Sequence, residues 1–424
     1  MIARHVEKLI VFIILSLLLV QISINIAYAE PITADSQFTI ERIFSGSFEP
    51  STMAFVASDD ILVLDRDEGK VFRIINGTQS RPLIDVNVST DGYRGLLGVA
   101  VSSKDDLTTN VFLYFTEAPI HDGDDSTKNP VHPLGNRLYK YDLLDNKLVH
   151  PKLLLDLPAL PGPRHAGGIV AIGPDHNLYI TIGDLDGTFR YKQYETMAQN
   201  YRNGQPVDGR GGILVISQDG KPLSQGILGN SFPLNLYYAY GIRNSFGIDW
   251  DPLTNYLWDS ENGPNFGDEL NLVYPGFNSG WSMVQGFWKP NIEDKGHVAR
   301  NPDLVDFDGK GIYSPPKFVW ADPVAPSAIR FLDSERYGND YENDLLVGDA
   351  NYGNIYDFDL DAQRKNLNLS GILSDATANN IEEAKDLIFA EGFGKIADVK
   401  IGPNGMIYVL SKDKDTTSIY RIKP

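Results

Sequence analysis

The chain contains no cysteine among its 424 residues. This absence excludes a disulfide framework, thiolate metal sites and thiol catalysis. Basic residues are also scarce, since 37 Lys and Arg stand against 56 Asp and Glu and leave a net charge of −19. Because an acidic surface repels phosphate backbones and anionic lipid, nucleic acid is not expected as a partner.

Long helical patterns are scarce as well, whereas 39 Gly, 25 Pro, 21 Tyr and 20 Phe are typical of short strands joined by tight turns. One phrase recurs: an apolar strand, a polar turn, and an aromatic-aliphatic strand that ends near an acid. Its two clearest copies cover 172–184 and 401–413. Looser copies begin near Phe55, Gly98, Gly247 and Ala328. Six copies predict an all-β fold, a six-bladed β-propeller of four-stranded antiparallel blades.

The N-terminus stands outside this repeat. A cationic start with Arg4 and Lys8 precedes an apolar run over 9–20 and an Ala-Tyr-Ala tripeptide at 27–29 that suits a signal peptidase. Further isoleucines lengthen the run towards the roughly 20 apolar residues that cross a bilayer. An uncleaved anchor therefore stays open beside a cleaved signal, and either reading predicts a secreted, periplasmic or otherwise extracytoplasmic protein.

The domain organisation follows from these two regions. We predict that residues 1–33 form a signal peptide or an N-terminal membrane anchor, the only expected contact with a membrane. Residues 34–424 form the propeller. Ring closure should pair residues 38–43 with the last strand, 418–422, because a closed ring leaves no exposed sheet edge.

Three segments carry polar residues in unusual settings. His165 lies in a loop (161–168) that ends in two glycines, where backbone can approach a ligand and a neutral imidazole can accept a hydroxyl proton. Arg243 and Asn244 lie among apolar and aromatic residues, so the arginine needs a carboxylate or a ligand oxygen. Segment 261–271 combines turn formers with acids, the oxygen donors that calcium prefers. The alternatives are a surface histidine, a structural ion pair and a solvated turn.

Six stretches occur in an order that is typical of one enzyme family. They are RGLLGVAV (94–101), GNRLYKYDL (135–143), HAGG with IGPDHNLYITIGD (165–184), GIRNSFGIDWDP (241–252), ENGPNFGDELNLVYPGFNSGW (261–281) and VAPSAIRF (324–331). Together they resemble the soluble quinoprotein glucose/sorbosone dehydrogenases. The resemblance covers the chain from about Phe38 to its C-terminus.

The resemblance implies pyrroloquinoline quinone (PQQ) as cofactor, calcium that polarises the quinone, and an aldose sugar oxidised at its anomeric carbon to the lactone. It also implies an external electron acceptor. The matching positions are the general base His165, the substrate and quinone contact Arg243, the cofactor-side residues Asn244 and Asp268, the catalytic-calcium carbonyls of Gly263 and Pro264, and Glu269 as ligand of a further, structural calcium.

Several positions depart from the family pattern. Tyr93 replaces a glutamine before GLLG, and Arg164 replaces the acid before the catalytic histidine, so substrate contacts must differ. Asn351 stands where a lysine is expected. The two arginines before the last Asp-Val are Lys395 and Ala397. Two cations of the family are therefore missing.

These departures bear on function because PQQ carries three carboxylates and needs compensating charge in an acidic protein. We predict that Arg243, Lys395 and Arg164 supply it, with Lys317 as a further source. If they do not, two other functions remain. One is a non-catalytic extracellular propeller that binds carbohydrate or protein, and the other is a calcium-dependent, lactonase-like propeller.

Overall fold

The structure is a computed structural model that describes residues 30–105, 108–119, 133–186, 192–287, 289–290 and 303–424. Ile32–Pro424 form one compact unit. The predicted signal peptide or anchor lies almost entirely outside the described residues. Within the described residues, no helix is both long and apolar enough to span a bilayer.

Strands dominate because short runs of β-branched, aromatic and aliphatic residues alternate with turn formers. In chain order the strands are β1 (Ile32–Thr33), β2 (Thr39–Gly46), β3 (Pro50–Ala57), β4 (Asp60–Asp65), β5 (Lys70–Ile75), β6 (Thr78–Gln79), β7 (Ile84–Asp85), β8 (Leu96–Asp105), β9 (Thr108–Glu117), β10 (Gly135–Leu144), β11 (Lys147–Leu157), β12 (Val170–Ile172), β13 (Leu178–Ile182), β14 (Gly212–Ile216), β15 (Tyr237–Tyr240), β16 (Ser245–Trp250), β17 (Leu257–Glu261), β18 (Asp268–Val273), β19 (Phe277–Asn278), β20 (Val284–Gln285), β21 (Lys289–Pro290), β22 (Ile312–Tyr313), β23 (Phe318–Trp320), β24 (Pro326–Phe331), β25 (Leu345–Asp349), β26 (Ile355–Phe358), β27 (Thr377–Ala378), β28 (Ile388–Glu391), β29 (Lys395–Ile401), β30 (Ile407–Asp413) and β31 (Thr416–Lys423). Short 3₁₀ helices cover Lys192–Tyr194, Met197–Gln199, Leu234–Leu236, Glu335–Tyr337, Gly371–Leu373 and Ile381–Leu387.

The described strands form six sheets of four to six strands and one two-stranded ribbon, β20-β21. In pairing order the sheets are β3-β4-β5-β6 with β7 also on β5, β8-β9-β10-β11, β12-β13-β14-β15-β19-β22, β16-β17-β18-β23-β27, β24-β25-β26-β28-β1 and β29-β30-β31-β2. Contacts between successive sheets run from β3 to β8, β8 to β12, β13 to β16, β16 to β24, β24 to β29, and from β29 back to β3. The sheets therefore close into a ring, which confirms the all-β propeller.

The prediction of uniformly four-stranded antiparallel blades is wrong. Among the described strands, only the sheets that begin with β8 and with β29 have four strands. In two others, short segments join the outer edge in parallel: β19 pairs with β15, β22 with β19, and β27 with β23. β19 and β22 lie in the connection between β18 and β23, and β27 lies in the connection between β26 and β28. A connection of one sheet thus bonds the N–H and C=O groups that the outer edge of the preceding sheet leaves unpaired.

Ring closure uses the predicted segments. Strand β2 pairs antiparallel with β31, with Ile40 opposite Ile422 and Ser45 opposite Ser418. The side chains of Phe44 and Ile419 pack with Met53 of the first sheet in one buried cluster. Strand β2 thus completes the sheet formed by the C-terminal strands β29, β30 and β31, and apolar packing closes the ring.

Candidate active site

His165 lies in the loop before β12, and its ring contacts Asp184 just after β13. The Nδ1 atom lies 2.5 Å from Asp184 Oδ1, and Asp184 is only 1% exposed. The other carboxylate oxygen accepts a hydrogen bond of 2.9 Å from Trp281 Nε1. A carboxylate at Nδ1 holds the proton on that nitrogen and leaves Nε2 as the acceptor. The arrangement therefore orients His165 as a base.

The backbone at His165 is held in an unusual conformation. Its φ of +58° is left-handed, which is rare for a residue other than glycine and is common at functional sites. The N–H of Gly183 donates to His165 O at 3.0 Å, and a Cβ on Gly183 would lie 2.3 Å from Arg243 O. The two glycines that end this loop approach other protein groups, since a Cβ on Gly167 would lie 2.0 Å from Thr181 O and a Cβ on Gly168 would lie 2.5 Å from Leu97 Cβ.

Arg243 precedes β16 and, like His165, contacts the residues that follow the end of β13. The N–H of Asp184 donates to Arg243 O at 3.0 Å. Arg243 Nη1 donates to the carbonyls of Asn262 at 2.7 Å and Gly263 at 2.8 Å, and its Cζ lies 5.4 Å from the centre of the Trp281 ring. Burial lowers the pKa of Arg243, while carboxylates including Asp184 oppose that shift. The backbone N–H of Arg243 donates to Glu261 Oε1 at 2.6 Å. The direct partners of its guanidinium within the described chain are carbonyls, so the alternative of a structural ion pair is not observed.

Asn244 follows Arg243 and offers an unused acceptor. Its Oδ1 is buried and has no hydrogen-bond partner among the described residues, and the residue is 6% exposed. The Oδ1 atom of Asn262 is equally buried and unpartnered. Buried polar atoms are rarely left unsatisfied in a folded protein. The two side chains therefore suit a polar ligand beside Arg243.

Asp268 braces the loop that follows β17. Its Oδ1 accepts from Gly263 N at 2.8 Å and its Oδ2 from Ala325 N at 2.8 Å. Burial raises the pKa of Asp268 to about 6, although these N–H groups favour the charged form. Pro264 is exposed. Of the two carbonyls predicted to bind calcium, that of Gly263 is already engaged by Arg243.

Glu269 belongs to a cluster of buried carboxylates. It lies on β18 directly opposite Glu261 on β17, and Ser279 Oγ donates to both, at 3.3 and 2.8 Å. Asp259 lies two residues before Glu261 on the same face, and its Oδ2 is buried without a partner. Burial raises the pKa of all three carboxyl groups. As the described side chains stand, no three His, Cys, Asp or Glu are arranged to hold a metal ion.

The other predicted cations show no contact with the described site residues around His165 and Arg243. Arg164 and Lys395 are exposed, and neither side chain has a hydrogen-bond or ion-pair partner in the described part of the chain. Lys317 Nζ donates to Asn366 Oδ1 at 2.9 Å. Asn351 Nδ2, at a family lysine position, donates to Pro323 O at 3.0 Å. Arg243 is thus the one predicted cation that contacts the other site residues described here.

Sequence reasoning missed Asp184 and Trp281 as members of the site. Both carried a signal. Asp184 is the acid that ends the clearest copy of the repeated phrase, and Trp281 ends the stretch 261–281. Neither signal identifies a partner, because the contact to His165 joins residues 19 positions apart and the contact to Trp281 joins residues 97 positions apart.

Comparison with known proteins gives consistent results. Residues 48–421 match the family model described as Glucose / Sorbosone dehydrogenase. The aldose sugar dehydrogenase YliI of Escherichia coli is 26% identical, with 81% of each chain covered. Quinoprotein glucose dehydrogenase B of Acinetobacter calcoaceticus is 27% identical over 65% of this chain and 59% of its own length. The structure of a PQQ-bound aldose sugar dehydrogenase from Streptomyces coelicolor has a TM-score of 0.62 and 22% identity, and covers 93% of this chain and 100% of that one.

Proposed function

Because the chain belongs to the glucose/sorbosone dehydrogenase family, we propose that it is a PQQ-dependent enzyme that oxidises an aldose sugar at its anomeric carbon to the lactone. Membership of this family supports sugar oxidation by a quinoprotein. The observation that carries the proposed mechanism is the 2.5 Å contact between His165 Nδ1 and buried Asp184, next to Arg243. A positioned base beside a cation is what proton removal from a sugar hydroxyl requires.

The residues present fit a polar, anionic cofactor. Asn244 Oδ1 and Asn262 Oδ1 are buried acceptors without described partners, which suit an N–H or O–H donor of a polar ligand. Arg243 offers a charged fork of donors for an anionic carboxylate or a quinone oxygen. When bound, PQQ would accept the hydride from the anomeric carbon. Arg243 and Asn244 would hold the cofactor, as the resemblance implies.

The chain's own residues then handle the proton. His165 Nε2 accepts the proton of the anomeric hydroxyl, and Asp184 keeps the ring in the required tautomer and stabilises the imidazolium that results. Arg243 stabilises negative charge that develops nearby. Trp281 fixes Asp184 through its indole N–H and lies beside the Arg243 guanidinium. Asp268 Oδ1 holds the loop of Gly263 by accepting a hydrogen bond from the Gly263 N–H.

The resemblance implies calcium at two sites, the carbonyls of Gly263 and Pro264 and the side chain of Glu269, and the contacts at these two sites differ. At Gly263 the carbonyl already accepts from Arg243 at 2.8 Å, and a second cation there would be repelled by the guanidinium. Pro264 lies next to it. At Glu269, three buried carboxylates with raised pKa values lie together, and a divalent cation would relieve their repulsion. We therefore propose the Glu269 cluster as the stronger calcium site and derive no catalytic step from the other.

The proposed function also includes a blade count, an electron acceptor and a location outside the cytoplasm. We assign one blade to each of the six sheets, because contacts between successive sheets close one ring. An external electron acceptor must regenerate the enzyme after each two-electron oxidation. The N-terminal signal or anchor, residues 1–33, would place the domain 34–424 outside the cytoplasm, where soluble sugars and acceptors meet it.

The test is the variant His165→Ala in protein reconstituted with PQQ and calcium. Dye-linked sugar oxidation should fall about 100-fold or more, because a positioned base contributes on that scale. Affinity for PQQ, measured by absorbance titration, should change little. Unchanged turnover would remove His165 from the mechanism. Failure of the wild-type protein to bind micromolar PQQ would favour the non-catalytic propeller, and calcium-dependent lactone hydrolysis without quinone would favour the lactonase-like one.

A further inference from the structure

A cavity of about 540 Å³ opens between the first sheet and the sheet that closes the ring. Its walls include Phe48, Phe72, Asp65, Glu49 and Lys412. None of its lining residues belongs to the candidate active site. We propose that this cavity is a second ligand site, which binds an organic compound carrying a primary ammonium group.

The charges that line the cavity leave one buried carboxylate without a cation. Lys412 forms an ion pair with Glu49, Lys70 pairs with Glu68 at 2.9 Å, and Asp67 pairs with Arg66, just outside the cavity, at 2.7 Å. Asp65, which is 4% exposed, has no ion-pair partner in the described chain. The cavity therefore retains negative charge after its internal pairs have formed.

Asp65 is poorly compensated by hydrogen bonds as well. Its Oδ1 accepts a long bond of 3.4 Å from the N–H of Glu68. Burial raises the pKa of Asp65 to about 6, although backbone N–H groups of Glu68 and Glu49 oppose the shift. Lys70 attracts Asp65 electrostatically but pairs directly with Glu68, so a cation in direct contact with Asp65 would add to that attraction. A neutral ligand would gain no such attraction.

The aromatic wall distinguishes an organic ammonium from a metal ion. Phe48 and Phe72 lie with ring centres 5.5 Å apart, and ring faces attract ammonium groups. Calcium takes about six to eight oxygen ligands, whereas Asp65 is the one buried carboxylate of this cavity without an ion-pair partner in the described chain. The volume of about 540 Å³ lies within the range of about 300–1,000 Å³ for small-molecule sites. An amine with a short carbon skeleton fits these walls best.

Spermidine is a suitable probe, and titration calorimetry of the full chain measures its binding. We expect saturable binding at one site that weakens about tenfold or more in Asp65→Asn, because that change removes the uncompensated charge. The asparagine keeps an oxygen for the Glu68 N–H, so folding should be preserved. Asp333→Asn, which removes one exposed carboxylate outside the cavity, is the matched control and should bind spermidine as the wild-type protein does.

Three outcomes would overturn the proposal. Equal binding to wild type and Asp65→Asn would indicate general attraction to a chain of net charge −19. Stoichiometric displacement of spermidine by calcium would identify a metal site. Absence of saturable binding would remove the site altogether. The proposal does not depend on sugar oxidation, since the probe is measured without PQQ or sugar.

Discussion

Replacing Asp184 with Asn tests whether the buried carboxylate acts through His165. The carboxylate accepts from His165 Nδ1 at 2.5 Å, from Asp186 N at 3.0 Å and from Trp281 Nε1 at 2.9 Å. Asparagine keeps one acceptor oxygen and turns the other into a donor. Either the indole N–H then meets an N–H₂ group, or His165 must carry its proton on Nε2, where it cannot act as a base.

The magnitude follows from the charged hydrogen bond that is lost. Such a bond contributes about 1.5–3 kcal/mol, which corresponds to about 10- to 150-fold in rate. We expect this loss in kcat for dye-linked sugar oxidation. PQQ affinity, titrated by absorbance, should change less than about threefold, because Asp184 is engaged by protein groups and not by the proposed cofactor contacts.

Two controls separate positioning from structural damage. Trp281→Phe removes the indole donor but leaves the Asp184 charge, so its loss in kcat should be smaller than that of Asp184→Asn. In a His165→Ala background, Asp184→Asn should have almost no further effect, because residues that act as a unit are not additive. Wild-type turnover in Asp184→Asn, or an equal loss with and without His165, would refute the positioning role.

Three further predictions concern metal, cofactor and pH. Calcium should raise the Tm of the wild type but not of Glu269→Gln; in chelator the variant should be the more stable protein at pH 9, where the Glu269 carboxyl, with its pKa raised to about 8, carries a buried charge. Equal responses to calcium would exclude the Glu269 cluster. Asn351→Lys and Ala397→Arg should each strengthen PQQ binding by up to about tenfold, whereas Lys317→Ala, whose amine bonds Asn366, should leave absorbance titrations unchanged. Burial, followed by repulsion from Asp344 and Asp359, raises the pKa of the Asp357 carboxyl from 3.8 to about 8. The stability that this carboxyl contributes is therefore fully present below about pH 4 and is lost as the pH rises to about 8. Asp357→Asn should therefore gain at least about 1 kcal/mol over wild type in urea unfolding at pH 9 relative to pH 5; a constant difference would contradict the raised pKa.

Local features of the fold were predictable because they repeat. The two clearest copies of the phrase form β12-β13 and β29-β30, and in both the polar turn between the strands is closed by short backbone bonds, such as Gly173 N to Asn177 O at 2.9 Å and Gly402 N to Met406 O at 2.8 Å. The parallel edge strands carry no comparable signal. Strand β27, for example, has two residues, too few to show a period, and its position depends on a distant partner, Trp320.

The candidate site shows the same division between local and distant information. Residue types at His165, Arg243 and Asp268 were predictable from motifs, but their partners were not. Arg243 could be given two roles from sequence, a ligand contact or a carboxylate partner, and the structure shows neither carboxylate pairing nor an isolated side chain, because Nη1 bonds the carbonyls of Asn262 and Gly263. That choice depends on a turn 19 residues away, which no local pattern encodes.

The Arg243 contact also links the two cations that the resemblance assigns to this site. Calcium at Gly263 O and the guanidinium at the same oxygen repel each other, since unit charges at about 4 Å interact by several kcal/mol even at an effective dielectric of about 20. Calcium binding at that carbonyl therefore requires Arg243 Nη1 to move away. The released guanidinium would then be available to an anionic ligand beside Asn244. On this reasoning, metal and cofactor should bind this site cooperatively, and Arg243→Ala should strengthen calcium binding while weakening that of PQQ.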